Sequence, residues 1–318
     1  MKYRKLGKTG LLVSEIGLGT AQIGGASLIA GKYTGSPAIE NSEAIRILNT
    51  AYDSGINLYD TSDKYGDGRS ERLLGEVFSA NRGKVILATK CGITSAGKRC
   101  FTEGYIRSCL EESLKNLNTD YVDIFQLNKS DMALIRRGQI YAILEKLRQE
   151  GKIRFTGVST GTDQEAAQLV LDNKIDTLQI FYNLFYLTPN ELFIGKAYDC
   201  GIGLIIRSPL SSGVLVGGYS RNTKFSEEDD RSVFLYGKVL AARVDMVDKI
   251  TRHFKLNAER RILHLALNYL LSNNKISTVI PGVSKESQFQ DILKACVMKR
   301  MTLKEFLEVE KFVKENYR

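Results

Sequence analysis

Histidine, tryptophan and proline are scarce in this chain of 318 residues, which has no Trp, 4 Pro and 2 His. Both histidines, His253 and His264, lie in stretches whose apolar residues recur at helical spacing. A histidine-dependent metal cluster or a Ser–His–Asp triad needs a histidine beside other reactive groups at a strand end or loop. The sequence therefore predicts packing or surface roles for both histidines, and a chemistry that does without the commonest general base.

Cysteine is present, but not in the patterns that bind metals or form disulfide frameworks. The 5 cysteines are widely spaced and never form a Cys-x-x-Cys pair: Cys91, Cys100, Cys109, Cys200 and Cys296. Neither a zinc site nor a set of disulfides is indicated. We expect free thiols in a reducing compartment and no metal cofactor.

Long apolar runs are also missing. After the basic start of the chain, the apolar run 11–13 ends at Ser14, far short of the roughly 7–15 residues of a signal-peptide core. No stretch reaches the ~18 uninterrupted apolar residues of a membrane helix. We therefore expect a cytoplasmic protein that does not engage a membrane.

The charge balance is basic, with 45 Lys and Arg against 36 Asp and Glu and a formal charge of +9. The basic residues alternate with acidic ones along the whole chain, and no base-stacking or groove-reading motif occurs, so no nucleic-acid partner is expected. A composition of 43% hydrophobic and 25% charged residues is that of an ordinary globular protein. Nothing in the sequence specifies an oligomeric state.

Short β-branched runs alternate with longer amphipathic stretches from end to end. The predicted strands cover residues 14–19, 57–60, 85–89, 121–127, 155–159, 177–180, 203–207 and 278–281. Repeated strand–helix units without a break in composition favour a single (β/α)8 barrel, of the TIM type, over residues 1–318, with extra helices near the C-terminus. A doubly wound open sheet is the alternative.

Helix limits can be read from capping residues. Ser42 is predicted to cap the helix that follows it and Gly55 to end that helix, while Thr102 is predicted to cap a later one. Residues 132–151 and 189–201 each read as one continuous helical pattern.

Two glycine-containing segments resemble nucleotide-binding motifs without completing them. Residues 17–25 (GLGTAQIGG) contain Gly-x-Gly, but Gln22 stands where the third glycine of the Rossmann fingerprint belongs. Residues 7–9 (GKT) match the end of a P-loop, but Lys2 occupies the position of its first glycine. Neither motif is present.

Reactive side chains collect at the predicted strand ends, where a (β/α)8 barrel carries its active site. A carboxylate ends the second strand at Asp60, Tyr65 lies in the loop beyond it, and Lys90 ends the third strand. An ammonium group beside a phenol makes the phenol a stronger acid, and a buried carboxylate holds the ammonium in place. Such a phenol can donate the proton that hydride reduction of a carbonyl requires.

These residues resemble the aldo-keto reductases. The resemblance is carried by residues 57–75 (NLYDTSDKYGDGRSERLLG) and 88–92 (ATKCG), and by the segments 3–20, 208–218 and 277–288. It implies a barrel that binds NAD(P)H without a Rossmann domain and acts on a small carbonyl or alcohol substrate. Tyr65 would be the general acid, Lys90 its activating neighbour and Asp60 the residue that orients the lysine.

The resemblance also implies a set of cofactor-binding residues. Ser159 and Gln179 would hold the nicotinamide carboxamide, the loop after the seventh strand would line the pyrophosphate, and the segment after the eighth strand would meet the adenosine. The predicted set is Gly19, Thr20, Ser159, Gln179, Arg207, Ser208, Leu210, Ser212, Gly213, Ser284, Lys285 and Gln288.

The chain departs from the family pattern at three positions. Asn128 stands where a catalytic His is usual, as it does in the potassium-channel β subunits, which are regarded as slow reductases. Asn donates hydrogen bonds but cannot titrate, and losing one such donor entirely costs on the order of 10²–10³ in rate, so we expect slower turnover. Thr160 replaces the usual Asn. Arg207 stands where an aromatic ring often stacks on the nicotinamide, and a planar guanidinium can also stack or attract anions.

Substrate and cofactor choice follow from the basic residues. Lys98, Arg99 and Lys129 lie in predicted mouth loops, which suggests a phosphorylated, carboxylated or sugar-like substrate. Lys285 near the adenosine end favours the 2′-phosphate of NADPH over NADH, although Ser284 occupies the place where the family often has Arg. The alternative from another class is a regulatory binding subunit that senses the redox state of its cofactor and retains weak reductase activity.

Overall fold

The computed structural model describes residues 1–129, 132–259 and 261–317, and its centre is a sheet of eight parallel strands. In chain order the strands are β1 (Leu18–Gly19), β2 (Leu58–Asp60), β3 (Ile86–Cys91), β4 (Val122–Asn128), β5 (Ile153–Ser159), β6 (Thr177–Phe181), β7 (Gly203–Arg207) and β8 (Thr278–Ile280). Each strand pairs with the next, and bridges from Ile16 to Val279 and from Gly19 to Gly282 join the two edges. The predicted (β/α)8 barrel is confirmed, and the open-sheet alternative is wrong.

The first predicted strand differs most from its observed form. Residues 14–19 were expected to form one strand, but the barrel contains only Leu18–Gly19, and the preceding Leu12–Ser14 pairs antiparallel with Tyr3–Lys5. The chain changes partners between the two, because the N–H of Glu15 bonds to Lys2 and that of Gly17 to Val279. A Cβ on Gly17 would lie 2.9 Å from the Leu58 carbonyl oxygen, so glycine allows β1 to approach β2 closely.

Helices surround the barrel and follow its strands. The longer ones are Asn41–Asp53, Arg69–Phe78, Glu103–Leu117, Gln139–Gln149, Asp163–Asp172, Gly237–His253, Ile262–Ser272, Glu286–Val297 and Leu303–Asn316. Shorter ones are Ala21–Gly24, Met132–Arg137, Thr188–Leu192, Ile194–Asp199 and Arg231–Phe234, with 3₁₀ turns at Gly7–Thr9, Ser79–Lys84 and Ser211–Val216. A hairpin of Ser27–Ile29 and Lys32–Thr34 lies between β1 and the first long helix.

Capping was predicted correctly at two of three places. The Thr102 hydroxyl accepts from the N–H of Tyr105, and Gly55 follows its helix with φ +85°. Ser42 is not the cap: the N–H of Ala44 bonds to the carbonyl of Glu40, so Ser42 already lies in the first turn. No helix among the described residues has both the length and the apolar content to cross a membrane.

The two longest helical patterns are each interrupted. Gly138, with φ +71°, separates Met132–Arg137 from Gln139–Gln149, because a left-handed residue cannot continue a right-handed helix. Phe193 separates Thr188–Leu192 from Ile194–Asp199 without a left-handed turn: its φ of −149° is simply outside the helical range. Periodicity alone predicted continuous helices, since apolar residues recur on both sides of each break.

Neither histidine takes part in a reactive cluster. His253 ends its helix with its ring stacked on Phe312 at 4.0 Å between centroids. His264 is buried in the helix Ile262–Ser272, where its Nδ1 lies 3.1 Å from the carbonyl of Glu259. Both have the packing roles that the sequence predicted.

A buried carboxylate joins the N-terminal end of the barrel to the C-terminal segments. Glu15, which is 1% exposed, forms ion pairs with Arg4 and with Arg300. The Arg4 guanidinium also donates to the carbonyls of Leu271 and Ile276, so the cluster links the first residues of the chain to the last strand. A carboxylate at this depth is stable only because two cations pair with it.

Replacing Glu15 with leucine should destabilise the fold by about 3 kcal/mol, because two half-buried guanidinium groups lose their acid. Urea unfolding measures this difference. Glu315→Gln, which removes an exposed ion pair with Lys311, serves as the control and should cost less than about 1 kcal/mol. Equal losses in the two variants would contradict the role given to Glu15.

Candidate active site

A cavity of about 900 Å³ opens at the C-terminal ends of the strands. One end is lined by Asp60 and Tyr65, and the other reaches the first turn of the helix Glu286–Val297 through Ser284 and Gln288. Parallel strands in a closed barrel bring their C-terminal ends to a common rim, where active sites of this architecture lie.

Asp60 and Lys90 form a buried ion pair in the wall of the barrel, with 2.6 Å between Oδ2 and Nζ. Asp60 pairs with Ala88 in the sheet, so Lys90, two residues further along β3, points to the same face. Lys90 also donates to the carbonyl of Thr61 at 2.9 Å. Burial lowers the pKa of Lys90, but Asp60 and Tyr65 outweigh burial and the net pKa is raised. The ammonium therefore stays charged at neutral pH.

Tyr65 lies over this pair, with its ring centroid 4.8 Å from the Lys90 Nζ. Its position depends on a close approach by the loop after β1, since a Cβ on Gly24 would lie 2.6 Å from the Tyr65 carbonyl. The N–H of Tyr65 bonds to the carbonyl of Ser62 and closes the turn that carries the ring. The structure thus brings together the carboxylate, the ammonium and the phenol.

The other oxygen of Asp60 is held by two amides. Oδ1 accepts from Gln179 Nε2 at 2.7 Å and from Gln126 Nε2 at 2.9 Å. The Ser159 hydroxyl donates to Gln179 Oε1 at 2.8 Å. Ser159 and Gln179, predicted for the carboxamide, are therefore linked directly to the Asp60–Lys90 pair.

Gln126 was not among the predicted site residues. It pairs with Lys90 in the sheet and lies two residues before Asn128 on the same face of β4. That alternation was a usable signal, but position alone does not show which partner an inward side chain meets. Asn128 itself is half-buried at the end of β4, beside Ser159 in register, and it is not one of the residues that line the cavity.

Arg207 ends β7 and lines the cavity. Its Nη2 donates to the carbonyl of Thr160 at 3.0 Å, and its guanidinium lies 5.4 Å from the ring centroid of Phe181. Burial lowers the pKa of Arg207, and within the described ranges no carboxylate forms an ion pair with it. A cation in this condition is suited to an anionic or planar ligand.

The loop after β7 has a strained backbone. Ser208, Ser211 and Ser212 have φ of 52°, 48° and 56°, and Gly213 has φ 92°. Left-handed conformations of non-glycine residues are costly and cluster where a ligand is held. A Cβ on Gly213 would lie 2.7 Å from the Tyr219 hydroxyl, so this turn also requires glycine for space. Ser208, Leu210, Ser212 and Gly213 all line the cavity, as the pyrophosphate prediction needs.

Two loops that carried no sequence motif meet across the cavity. Gly35, beyond the hairpin after β1, and Asp230, in the loop after β7, exchange hydrogen bonds: the N–H of Gly35 donates to Asp230 Oδ2 and the N–H of Asp230 to the carbonyl of Gly35, each at 2.9 Å. Burial raises the pKa of Asp230. The two residues are 195 positions apart in the sequence, and for this reason local patterns could not reveal the contact.

The far end of the cavity contains an ion pair that sequence analysis missed. Arg261 Nη1 lies 2.7 Å from Asp291 Oδ2, and its Nη2 donates to the carbonyl of Val216. Both charged residues line the cavity, with Ser284 and Gln288. Gln288 Oε1 accepts from the N–H of Ser284 at 2.9 Å.

Several predicted residues lie outside the cavity lining. Thr20 is buried beneath it, where its hydroxyl donates to the carbonyl of Asp60, whereas Gly19 lines the cavity. Lys285 is exposed at the start of the helix Glu286–Val297. The three basic residues predicted to contact substrate are exposed and are not among the lining residues: Lys98, Arg99 and Lys129. The Lys129 ammonium nevertheless lies near enough to the lining carboxylate of Asp230 to oppose the rise in its pKa. Over the described part of the chain, no three His, Cys, Asp or Glu residues are grouped to hold a metal ion.

Two solved structures share this architecture. Aldo-keto reductase AKR11C1 from Bacillus halodurans superposes with a TM-score of 0.79 at 25% identity, over 100% of this chain and 97% of that one. Glycerol dehydrogenase AKR11B4 from Gluconobacter oxydans gives 0.80 at 24% identity, over 99% and 96%, which shows the fold.

Sequence comparison agrees with the structural likeness. Aldo-keto reductase YhdN from Bacillus subtilis is 29% identical over 301 residues, which cover 91% of this chain and 87% of that protein. L-galactose dehydrogenase from Arabidopsis thaliana is 31% identical over 302 residues, which cover 92% and 86%. The profile of the aldo/keto reductase family matches residues 15–314. The chain therefore belongs to the aldo/keto reductase family and is an NAD(P)H-dependent oxidoreductase of carbonyl compounds.

Proposed function

We propose that this protein is an NADPH-dependent carbonyl reductase in which Tyr65 is the general acid. The observation that carries the proposal is the contact of Tyr65 with the Asp60–Lys90 pair at the rim of the cavity. A phenol beside a buried ammonium can donate its proton to a carbonyl oxygen, because the ammonium stabilises the phenolate that remains.

The residues present fit a dinucleotide. The cavity runs from the Tyr65 end to Ser284 and Gln288 and passes the strained loop 208–213 on the way. Two buried polar atoms near its wall, Gln22 Oε1 and Ser211 Oγ, have no protein partner in the described structure. Ser159 and Gln179 would hold the carboxamide, the loop 208–213 the pyrophosphate, and the segment from Ser284 the adenosine.

The positions of the side chains support one division of roles. When bound, a reduced nicotinamide would supply hydride chemistry at the carbonyl carbon. Tyr65 gives its hydroxyl proton to the carbonyl oxygen, so that hydride and proton together yield an alcohol. Lys90 stabilises the phenolate that remains, and Asp60 keeps Lys90 in place. Asn128 stands where the resemblance places the fourth catalytic residue, and from there it would donate a hydrogen bond to the substrate oxygen, since an amide donates hydrogen bonds but does not titrate.

The cofactor's 2′-phosphate has two basic candidates at the far end of the cavity. Arg261 lines the cavity there and Lys285 lies at the adjacent helix start. Ammonium and guanidinium groups both pair with phosphate, which supports NADPH over NADH. Asp291 forms an ion pair with Arg261, so this part of the cavity carries a negative charge as well as positive ones.

A single-turnover experiment tests the proposed function. The protein is mixed with NADPH, whose fluorescence is read against a chain without tryptophan, and oxidation is followed with neutral, phosphorylated and carboxylated carbonyl compounds. Carbonyl-dependent oxidation supports a reductase. The relative named L-galactose dehydrogenase is a reason to include aldose sugars in the panel.

Asn128 favours one second candidate, a regulatory subunit that binds the cofactor and turns over slowly. It stands where the resemblance places a catalytic His, and an amide cannot supply a proton. Tight NADPH binding without oxidation by any acceptor would support this reading. Failure to bind NADPH would overturn both proposals.

Arg207 is the cavity residue best placed to select an anionic substrate. Arg207→Met should raise KM for phosphorylated or carboxylated aldehydes by about tenfold or more, because a charge-assisted hydrogen bond is lost, and leave neutral aldehydes nearly unchanged. Steady-state kinetics on matched pairs of substrates measure this split. Lys304→Met, at an exposed lysine of the helix Leu303–Asn316 that does not line the cavity, is the control. An equal rise for neutral aldehydes, or a rise in KM for the cofactor alone, would instead assign Arg207 to the nicotinamide.

A further inference from the structure

Gln126 lies on the inner face of β4 in contact with Asp60, and one of its polar atoms has no partner in the described part of the chain. The side chain is fully buried, and its Nε2 donates to Asp60 Oδ1 at 2.9 Å. Its Oε1 is also buried and has no partner among the described residues. An unsatisfied buried carbonyl is costly, so an apolar side chain of similar volume would suit this position better if stability alone mattered.

The orientation of this amide is set by its contact with Asp60. Reversing the amide would bring Gln126 Oε1 against a carboxylate oxygen and leave the N–H groups buried without an acceptor, which is worse on both counts. The neighbouring strand β5 leaves room for the Gln126 side chain because the residue paired with it is Gly157, which has no Cβ. A Cβ on Gly157 would lie 3.0 Å from Gln126 Cγ and 2.4 Å from the Thr177 hydroxyl.

Asp60 is consequently fixed at both oxygens. Oδ2 accepts from Lys90, and Oδ1 accepts from Gln126 and Gln179. Gln179 also accepts from Ser159, so it belongs to the group proposed to hold the carboxamide. Gln126 has no such second partner: the hydrogen bond to Asp60 is the one that its side chain makes in the described structure.

We infer that Gln126 is a positioning residue, which acts through Asp60 to hold Lys90 beneath Tyr65. The inference rests on the proposed function, because it assigns Gln126 to the proton-transfer step of that reaction. With Gln126 present, the carboxylate cannot rotate about its Cβ–Cγ bond without losing a charge-assisted hydrogen bond. Without it, Gln179 alone would restrain Oδ1.

The test compares Gln126→Met with the wild type. Methionine nearly matches glutamine in length and removes the hydrogen bond, so kcat should fall by about tenfold, the effect of one hydrogen bond to a charged group. KM for NADPH should change far less, since Gln126 does not line the cavity. Thr177→Val is the matched control, another fully buried polar side chain of the barrel, bonded to the Thr156 carbonyl, and it should leave kcat unchanged.

Gln126→Glu separates positioning from packing. The new carboxyl would face Asp60 directly, and the titratable or charged groups next to Asp60 are Lys90, Tyr65 and Arg207. When protonated, this carboxyl can donate to Asp60; when ionised, it repels Asp60. The kcat of the variant relative to wild type should therefore rise as the pH falls, a trend that lost packing does not produce.

The outcomes are distinguishable. A wild-type kcat retained by Gln126→Met, or a flat pH ratio for Gln126→Glu, would overturn the inference and leave the proposed function standing. If none of the carbonyl compounds supported NADPH oxidation by the wild type, the proposed function would be overturned, and this inference would fall with it. An equal loss of kcat in Thr177→Val would show that any disturbance of the barrel interior suffices, which also overturns the role given to Gln126.

Discussion

Replacing Tyr65 with phenylalanine should lower the single-turnover rate of NADPH oxidation by about 10²–10⁴-fold, the usual contribution of a positioned general acid. The ring remains, so its packing over Lys90 and the shape of the cavity are retained. NADPH affinity, measured by fluorescence titration, should therefore change little. The expected signature is a lost chemical step with intact binding.

Tyr198→Phe is the matched control for this experiment. Tyr198 lies on the helix Ile194–Asp199, is 52% exposed and does not line the cavity. Its replacement should leave both the rate and the affinity unchanged. A Tyr65→Phe protein that turns over at the wild-type rate would show that another group donates the proton.

Replacing Lys90 with methionine should abolish measurable turnover and also destabilise the fold by roughly 3–5 kcal/mol. The stability loss arises because the Asp60 carboxylate, 2% exposed, would lose its cation in a low-dielectric interior. The loss of activity arises because the phenol would lose the charge that stabilises its conjugate base. Urea unfolding and single-turnover kinetics measure the two effects separately.

A double variant separates the two effects further. Asp60→Asn combined with Lys90→Met removes both charges, so it should recover much of the stability but none of the activity. If the double variant recovered both stability and activity, the ion pair would have a role in the fold only. If Lys90→Met alone lost neither stability nor activity, the assigned site would be wrong.

The raised pKa of Lys90 sets the pH range over which the Asp60–Lys90 ion pair stabilises the folded state. A lysine whose pKa is higher in the folded state than in the unfolded chain contributes stability below the unfolded value, about 10.4, and loses it as the pH rises through the folded value. The ion pair therefore stabilises the fold over the whole neutral range.

Much of the fold was predictable because strand and helix patterns are local. The alternation of short β-branched runs and amphipathic stretches indicated the barrel, and β7 was placed at residues 203–207 as observed. The errors lie where tertiary contacts override local pattern. Gly138 interrupts a periodic helix, and residues 14–17 leave the first strand to bond with Lys2 and Val279.

The candidate site also contains residues that the sequence predicted and residues that it did not. Asp60, Tyr65 and Lys90 could be picked out from sequence alone because strand ends in a barrel converge and because their motif is specific. Alternation along a strand fixes the face on which a side chain lies, but not its partner. For this reason the second oxygen of Asp60, held by Gln126 from β4 and Gln179 from β6, was not foreseen.

The sequence by itself determined the barrel and the grouping of Asp60, Tyr65 and Lys90, because strand patterns are local and the strand ends of a barrel converge. The tertiary structure alone decided which residues contact one another around the cavity. Arg261 and Asp291 are 30 residues apart, Gly35 and Asp230 are 195 apart, and no local pattern records either contact. Lys98, Arg99 and Lys129, which the sequence placed at the mouth, point to solvent, while Arg207 lines the cavity. Loop conformations depend on which distant segments pack against them, and only the folded chain sets those distances.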